Sequence, residues 1–140
     1  MSASTKLSTA VKALSYLAAV SPEPKNSSDI SISTGINASK LRKLLSYLVK
    51  SGIVESEKGT NGGFTLKKKP KDIHLQEVYC AIEDRKAFHL DVNNSKGSEL
   101  NKNQKMNIFF IDLFADIQVT IENEMKNITL KSIIDKINSK

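Results

Sequence analysis

The stretch GINASKLRKLLSYLVKSGIVESEKGTNGGFTL, residues 35–66, changes its hydrophobic period halfway along. In its first half, Leu41, Leu44, Leu45, Leu48 and Val49 recur at helical spacing, so ASKLRKLLSYLVKSG reads as an amphipathic helix. Asn37 suits the N-cap of that helix, and Gly52 stands where a C-terminal cap belongs. From Ile53 the period drops to two. IVESE reads as a short strand, with Ile53 and Val54 expected on opposite faces. KGTNGG is a turn, and FTLKKK sends Phe64 and Leu66 inward. Two short strands about a glycine-rich turn make a hairpin.

Working outward, STKLSTAVKALSYLAAV is helical by pattern. Leu7, Val11, Leu14 and Ala18 form one stripe, with Ser4 or Thr5 as the expected cap and Pro22 and Pro24 ending it. NSSDISISTG reads as a short second helix capped by Ser27 or Ser28. Ile30 faces inward there with Ile32 or Ser33, and Gly35 closes the helix in a left-handed turn. Beyond Pro70, HLQEVYCAIED is expected to be a short helix presenting Leu75, Val78 and Ile82. Residues 84–104 have loop composition. A long helix, from about Gln104 to Asn127, then carries Met106, Phe110, Leu113, Ile117 and Ile121 on one stripe. A last short helix is capped by Thr129.

Three short helices followed by a hairpin is the order of a winged helix-turn-helix. The expected fold is mainly α with a small β-hairpin: a winged helix-turn-helix in residues 1–84, a loop over 85–103, and a helical region over 104–140 with a long helix.

The helix after Asn37 buries leucines and turns Ser39, Lys40, Arg42, Lys43, Ser46, Tyr47 and Lys50 outward. A helix of this kind fits the major groove of B-DNA, where arginine can grip guanine O6 and N7 in a fork. Asn37 and Ser39 suit phosphate or base edges, and Ser28 stands at the head of the preceding helix. At the hairpin tip Lys58 brings charge, and Thr60 and Asn61 bring hydrogen-bonding groups. Gly62 and Gly63 permit close approach to a backbone. A lysine-rich helix face alone is compatible with a solvated face, and a glycine turn alone with plain hairpin geometry. The two in this order point to double-stranded DNA.

Composition agrees. The chain has 140 residues, a formal net charge of +6 and a pI near 9.4, a balance that suits an anionic partner. No apolar run approaches the roughly 20 residues a membrane span needs. The first six residues lack the order of a secretory signal. With one cysteine there is no internal disulfide, and a cytoplasmic location is expected. Paired catalytic carboxylates, a nucleophile with its base and a metal cluster are all missing from the pattern, so no enzyme is expected. The competing reading is a winged-helix adaptor that binds proteins and does not read DNA sequence.

On these residues the chain resembles the Rrf-type, IscR/NsrR-like family of bacterial transcription regulators. GINASKLRKLLSYLVKSGIV and the wing KGTNGGFTL carry the likeness across residues 4–84. The wing is similar to the family's basic–Gly–x–x–Gly–Gly–aromatic–x–Leu signature, with Lys58 where arginine is common. The resemblance implies a homodimer on a roughly palindromic operator. The long helix would join the two copies, through Phe109, Phe110, Leu113, Phe114, Ile117 and Ile121. Repression is the expected outcome, with a small-molecule or oxidant effector left open. Many members hold an iron–sulfur cluster through three cysteines in the loop before that helix. Here RKAFHLDVNNSKGSELNK contains none, so no cofactor is expected. Cys80 is expected to be a buried apolar filler, and His89 with Asp91 a surface pair rather than a metal site.

Overall fold

The computed structural model describes residues 2–83 and 101–139. In chain order they form α1 (Ala3–Val20), α2 (Ser27–Thr34), α3 (Ala38–Lys50), β1 (Val54–Glu57), β2 (Gly63–Leu66), a 3-10 turn (Pro70–Asp72), α4 (Leu75–Ile82), α5 (Lys102–Lys126) and α6 (Leu130–Asn138). The mainly helical fold with a single hairpin is therefore as expected among the described residues. His89, Asp91 and most of the 85–103 loop lie outside them.

Capping residues explain the helix boundaries. Asn37 Oδ1 accepts from the Ser39 and Lys40 amides at 3.0 and 3.2 Å, as its position suggested. Gly35 ends α2 with φ 76°, a conformation open to glycine at little cost. Two starts lie further upstream than expected. Ser2, not Ser4 or Thr5, caps α1. Asn26, not Ser27 or Ser28, caps α2 by accepting from the Asp29 amide at 2.8 Å. At α5, Asn101 and Gln104 exchange two 2.8 Å hydrogen bonds in a capping box, so the helix begins at Lys102.

One core joins α1 (Ala10, Ala13, Leu14, Leu17), Ile30 of α2, and the α3 leucines 41, 44, 45 and 48. It also takes in Ile53, Val54, Ile73, Val78, Ile82 and Leu130. Two inward assignments need correction. Ile32 is 83% exposed, and Ser33 is exposed as well. At about 100° per residue Ile32 points nearly opposite to Ile30, and an eight-residue helix packed on one side buries a single position. Ile53 and Val54 are both buried in the core, so neither side chain faces solvent. Ile53 precedes the strand, in the turn where its amide bonds to Leu48 and its carbonyl accepts from Lys67.

The hairpin is antiparallel, with Val54 opposite Leu66 and Glu57 opposite Gly63. Its outer edge is also paired. The Phe64 amide donates to the Lys25 carbonyl at 2.8 Å, and the Lys25 amide to the Phe64 carbonyl at 3.2 Å. The strand is thereby bonded to the residues that lead into α2.

The C-terminal part returns to the same core. The Leu75 amide donates to the Ile128 carbonyl and the Leu130 amide to the Ile73 carbonyl, both at 2.8 Å. His74 Nδ1 lies 3.0 Å from the Lys126 carbonyl. These contacts clip the α5–α6 turn onto the segment before α4, and Leu130 fills the core from there. α5 itself packs on α4 near its C-terminal half, where Gln118 and Met125 are buried and Gln118 Nε2 donates to the Tyr79 hydroxyl at 3.3 Å. Towards its N-terminus it turns Met106, Ile108, Phe109 and Leu113 to solvent.

Candidate nucleic-acid interface

α3 buries four leucines, with Tyr47 and Val49 packed partly against the same core, and its serines and cations face outward. Ser39, Lys40, Arg42, Lys43, Ser46 and Lys50 are exposed, and Tyr47 is half-buried. Ser39, Arg42, Lys43 and Ser46 fall at i, i+3, i+4 and i+7, on one ridge of the helix. Asn37 has a structural duty. Its side-chain oxygen takes both amides of the first turn and the Ser39 hydroxyl at 3.1 Å, which leaves its amide nitrogen for any outside contact.

The wing tip, Lys58–Asn61, is exposed and closed by the Gly62 amide donating to the Gly59 carbonyl at 3.0 Å. Lys58 makes no ion pair among the described residues, although exposed Glu55 and Glu57 precede it on β1. Gly62 and Gly63 have an internal reason to be glycine. A Cβ on Gly62 would strike the Glu57 carbonyl oxygen. On Gly63, at φ 155°, it would lie 2.5 Å from the Lys25 carbonyl carbon and 2.9 Å from the Asn26 amide nitrogen. The hairpin's own backbone therefore demands glycine at 62, and the Lys25–Asn26 backbone demands it at 63.

The α2 N-terminus joins these two elements. Gly63 abuts Lys25 and Asn26, and the next residue, Ser27, accepts a hydrogen bond from Arg42 Nε at 3.4 Å. Ser28, also exposed, follows directly. The wing root, the head of α2 and the outer ridge of α3 thus converge. Lys25, Asn26 and Ser27 were missed in the sequence because the contacts linking them to residues 42 and 63 are long in chain separation.

Cys80 departs from expectation. It is exposed, on the side of α4 that faces α5, with its Sγ 3.2 Å from Gln76 Nε2 and 3.4 Å from Glu122 Oε1. The apolar stripe of α4 leaves out this position. Val78 and Ile82 face the core, whereas Cys80 sits on the flank.

A helix-turn-helix with a cationic outer ridge and an adjoining wing defines a DNA-binding transcription regulator of the winged-helix class. The chain belongs to the Rrf2 family, whose model, described as an iron-dependent transcriptional regulator, matches residues 3–136. YwnA of Bacillus subtilis, which carries the name of a helix-turn-helix transcriptional regulator, is 29% identical over 126 residues, 89% of this chain and 93% of its own. The regulator IscR of Erwinia tasmaniensis is 30% identical over 107 residues, 76% of this chain and 62% of its own. Among solved structures, IscR of T. potens superposes with a TM-score of 0.67 at 23% identity, covering 96% of this chain and 86% of that one. CymR, the global cysteine regulator of B. subtilis, gives 0.65 at 19%, covering 94% and 95%. These two share the fold. Family and relatives are regulators of transcription, not enzymes, and no helix among the described residues is long and apolar enough to cross a membrane.

The residues do not fit a thiolate-held iron–sulfur cluster. Cys80 is the sole cysteine of the sequence, and it is engaged between α4 and α5. No group of three or more His, Cys, Asp or Glu side chains among the described residues is placed to hold a metal ion.

Proposed function

We propose that this regulator works as a homodimer without an iron–sulfur cluster and represses transcription by occupying a palindromic operator. The observation that carries the reading is the convergence just described, which sets Arg42, Ser28 and the wing root around one helix start. On this reading Ser39, Lys40, Arg42 and Lys43 enter the major groove, Asn37 offers its amide group, and Lys58, Thr60 and Asn61 meet the flanking backbone. Gly62 and Gly63 let the wing lie close. Phosphate contacts give affinity, and Arg42 with Lys40 gives part of the sequence choice. The second copy is called for by α5. Phe109 is 60% and Leu113 37% exposed, beside half-buried Phe110, Phe114, Ile117 and Ile121. An apolar face of that breadth on a soluble helix marks an interface. A dimer lying across a promoter blocks polymerase by occupancy, and a small molecule or an oxidant would relieve it.

Selection of bound duplexes from a random DNA pool tests the proposal. The expected product is a palindrome with half-sites about one helical turn, roughly 10 base pairs, apart. Its binding should weaken steeply as salt rises. Enrichment of no sequence, with salt-independent retention, would instead point to a protein-binding adaptor.

A further inference from the structure

We propose that Ser27 is the positioning residue for Arg42, fixing the direction of its guanidinium and so the base pair that it discriminates; this rests on the reading of Arg42 as a groove-contacting side chain. Ser27 is the first residue of α2, yet it does not cap the helix, because Asn26 does. Its hydroxyl is turned instead towards α3 and accepts from Arg42 Nε at 3.4 Å. Arginine has five N–H donors in a rigid plane. Holding the one on Nε leaves the four on the two terminal nitrogens free, as a fork aimed away from α2. That is the set a bidentate contact to guanine uses.

Two features make the tether specific. Ile30 of α2 and Leu41 of α3 are fully buried in the same core, and the Ser31 hydroxyl bonds to the Ile36 carbonyl at 2.5 Å in the turn that joins the two helices. The distance between residues 27 and 42 is therefore set by the core. In addition, Arg42 forms no ion pair with a carboxylate among the described residues; Asp29, in the first turn of α2, offsets the positive helix end, and the hydrogen bond that directs the guanidinium is the one to the Ser27 hydroxyl. Untethered, a long exposed side chain would have to be ordered when DNA binds.

The test uses the full chain with the duplex obtained by selection, its single-base-pair variants and a random duplex. Arg42→Ala should lower discrimination at one base pair of each half-site by about 5- to 100-fold. Ser27→Ala should lower it at that same base pair by about 3- to 5-fold. Random-duplex binding, its salt slope and the Tm should be unchanged. Ser27→Thr should restore discrimination, and the double variant should be no worse than Arg42→Ala. If Arg42→Ala loses discrimination and Ser27→Ala does not, or if Ser27→Ala weakens all duplexes alike, the positioning role is overturned and Arg42 keeps its own. If Arg42→Ala leaves discrimination intact, the groove-contact reading fails and the role of Ser27 fails with it.

Discussion

α3 and α5 both carry an apolar stripe, and the structure treats the two stripes in opposite ways. On α3, Leu41, Leu45 and Leu48 are fully buried and the polar face is left to solvent. On α5 the buried positions are Gln118 and Met125, whereas Phe109 and Leu113 are open. The same alternation of residue types thus closes a core in one helix and leaves a surface in the other. What decides is the length of neighbouring chain available to cover each. Among the described residues, α3 is packed by α1, α2, β1 and α4, whereas α5 packs chiefly on the eight residues of α4. A periodicity reports that a face is apolar. It does not report whether the covering surface comes from the same chain.

Substitutions can break or sharpen this contrast. Leu45→Ala should cost the most, about 2–5 kcal/mol of unfolding free energy in a denaturant titration, because it opens a cavity in a packed core. A loss below about 1 kcal/mol would mean that the α3 stripe is covered far less completely than its burial indicates. Phe109→Ser should leave the unfolding of the N-terminal core nearly unchanged at high dilution. It should weaken self-association by about 1–3 kcal/mol, seen in sedimentation equilibrium as a shift towards the monomer. Equal association of the variant and the parent would deny the open stripe its proposed role. Lys43→Ala should have the smallest effect, within about 0.5 kcal/mol of stability. It should reduce the salt slope of DNA binding by about 1, and an unaltered slope would remove Lys43 from the contact set.

Much of the fold was legible in the residues. The leucine spacing of α3, the glycine turn of the hairpin and the Asn37, Gly35 and Thr129 caps are local signals, and each reappears in place. The failures share a physical origin. α2 is about two turns long, too short for its period to distinguish Ile30 from Ile32. Cys80 looked like core because thiols are often buried, yet it lies on the flank of α4 beside α5, where it stays exposed. The requirement for glycine at 62 and 63 was visible, but its cause was not. The backbones of Glu57 and Lys25 press on those positions, and Lys25 lies nearly forty residues earlier in the chain. The candidate interface was legible as a set of cations on α3 and the wing. The head of α2 that links them became visible only through contacts between distant residues.

The clip formed by Ile73, Leu75, Ile128 and Leu130 gives the long helix mechanical character. A 25-residue helix is about 37 Å long, and this one is pinned close to its C-terminal end. It is a lever with a short inner arm and a long outer one. A tilt of about 10° about Gln118, the innermost buried contact with α4, would carry the far tip, about 24 Å away, by roughly 4 Å. Any chemistry that alters the few side chains between α4 and α5 is therefore geared up at the aromatic end.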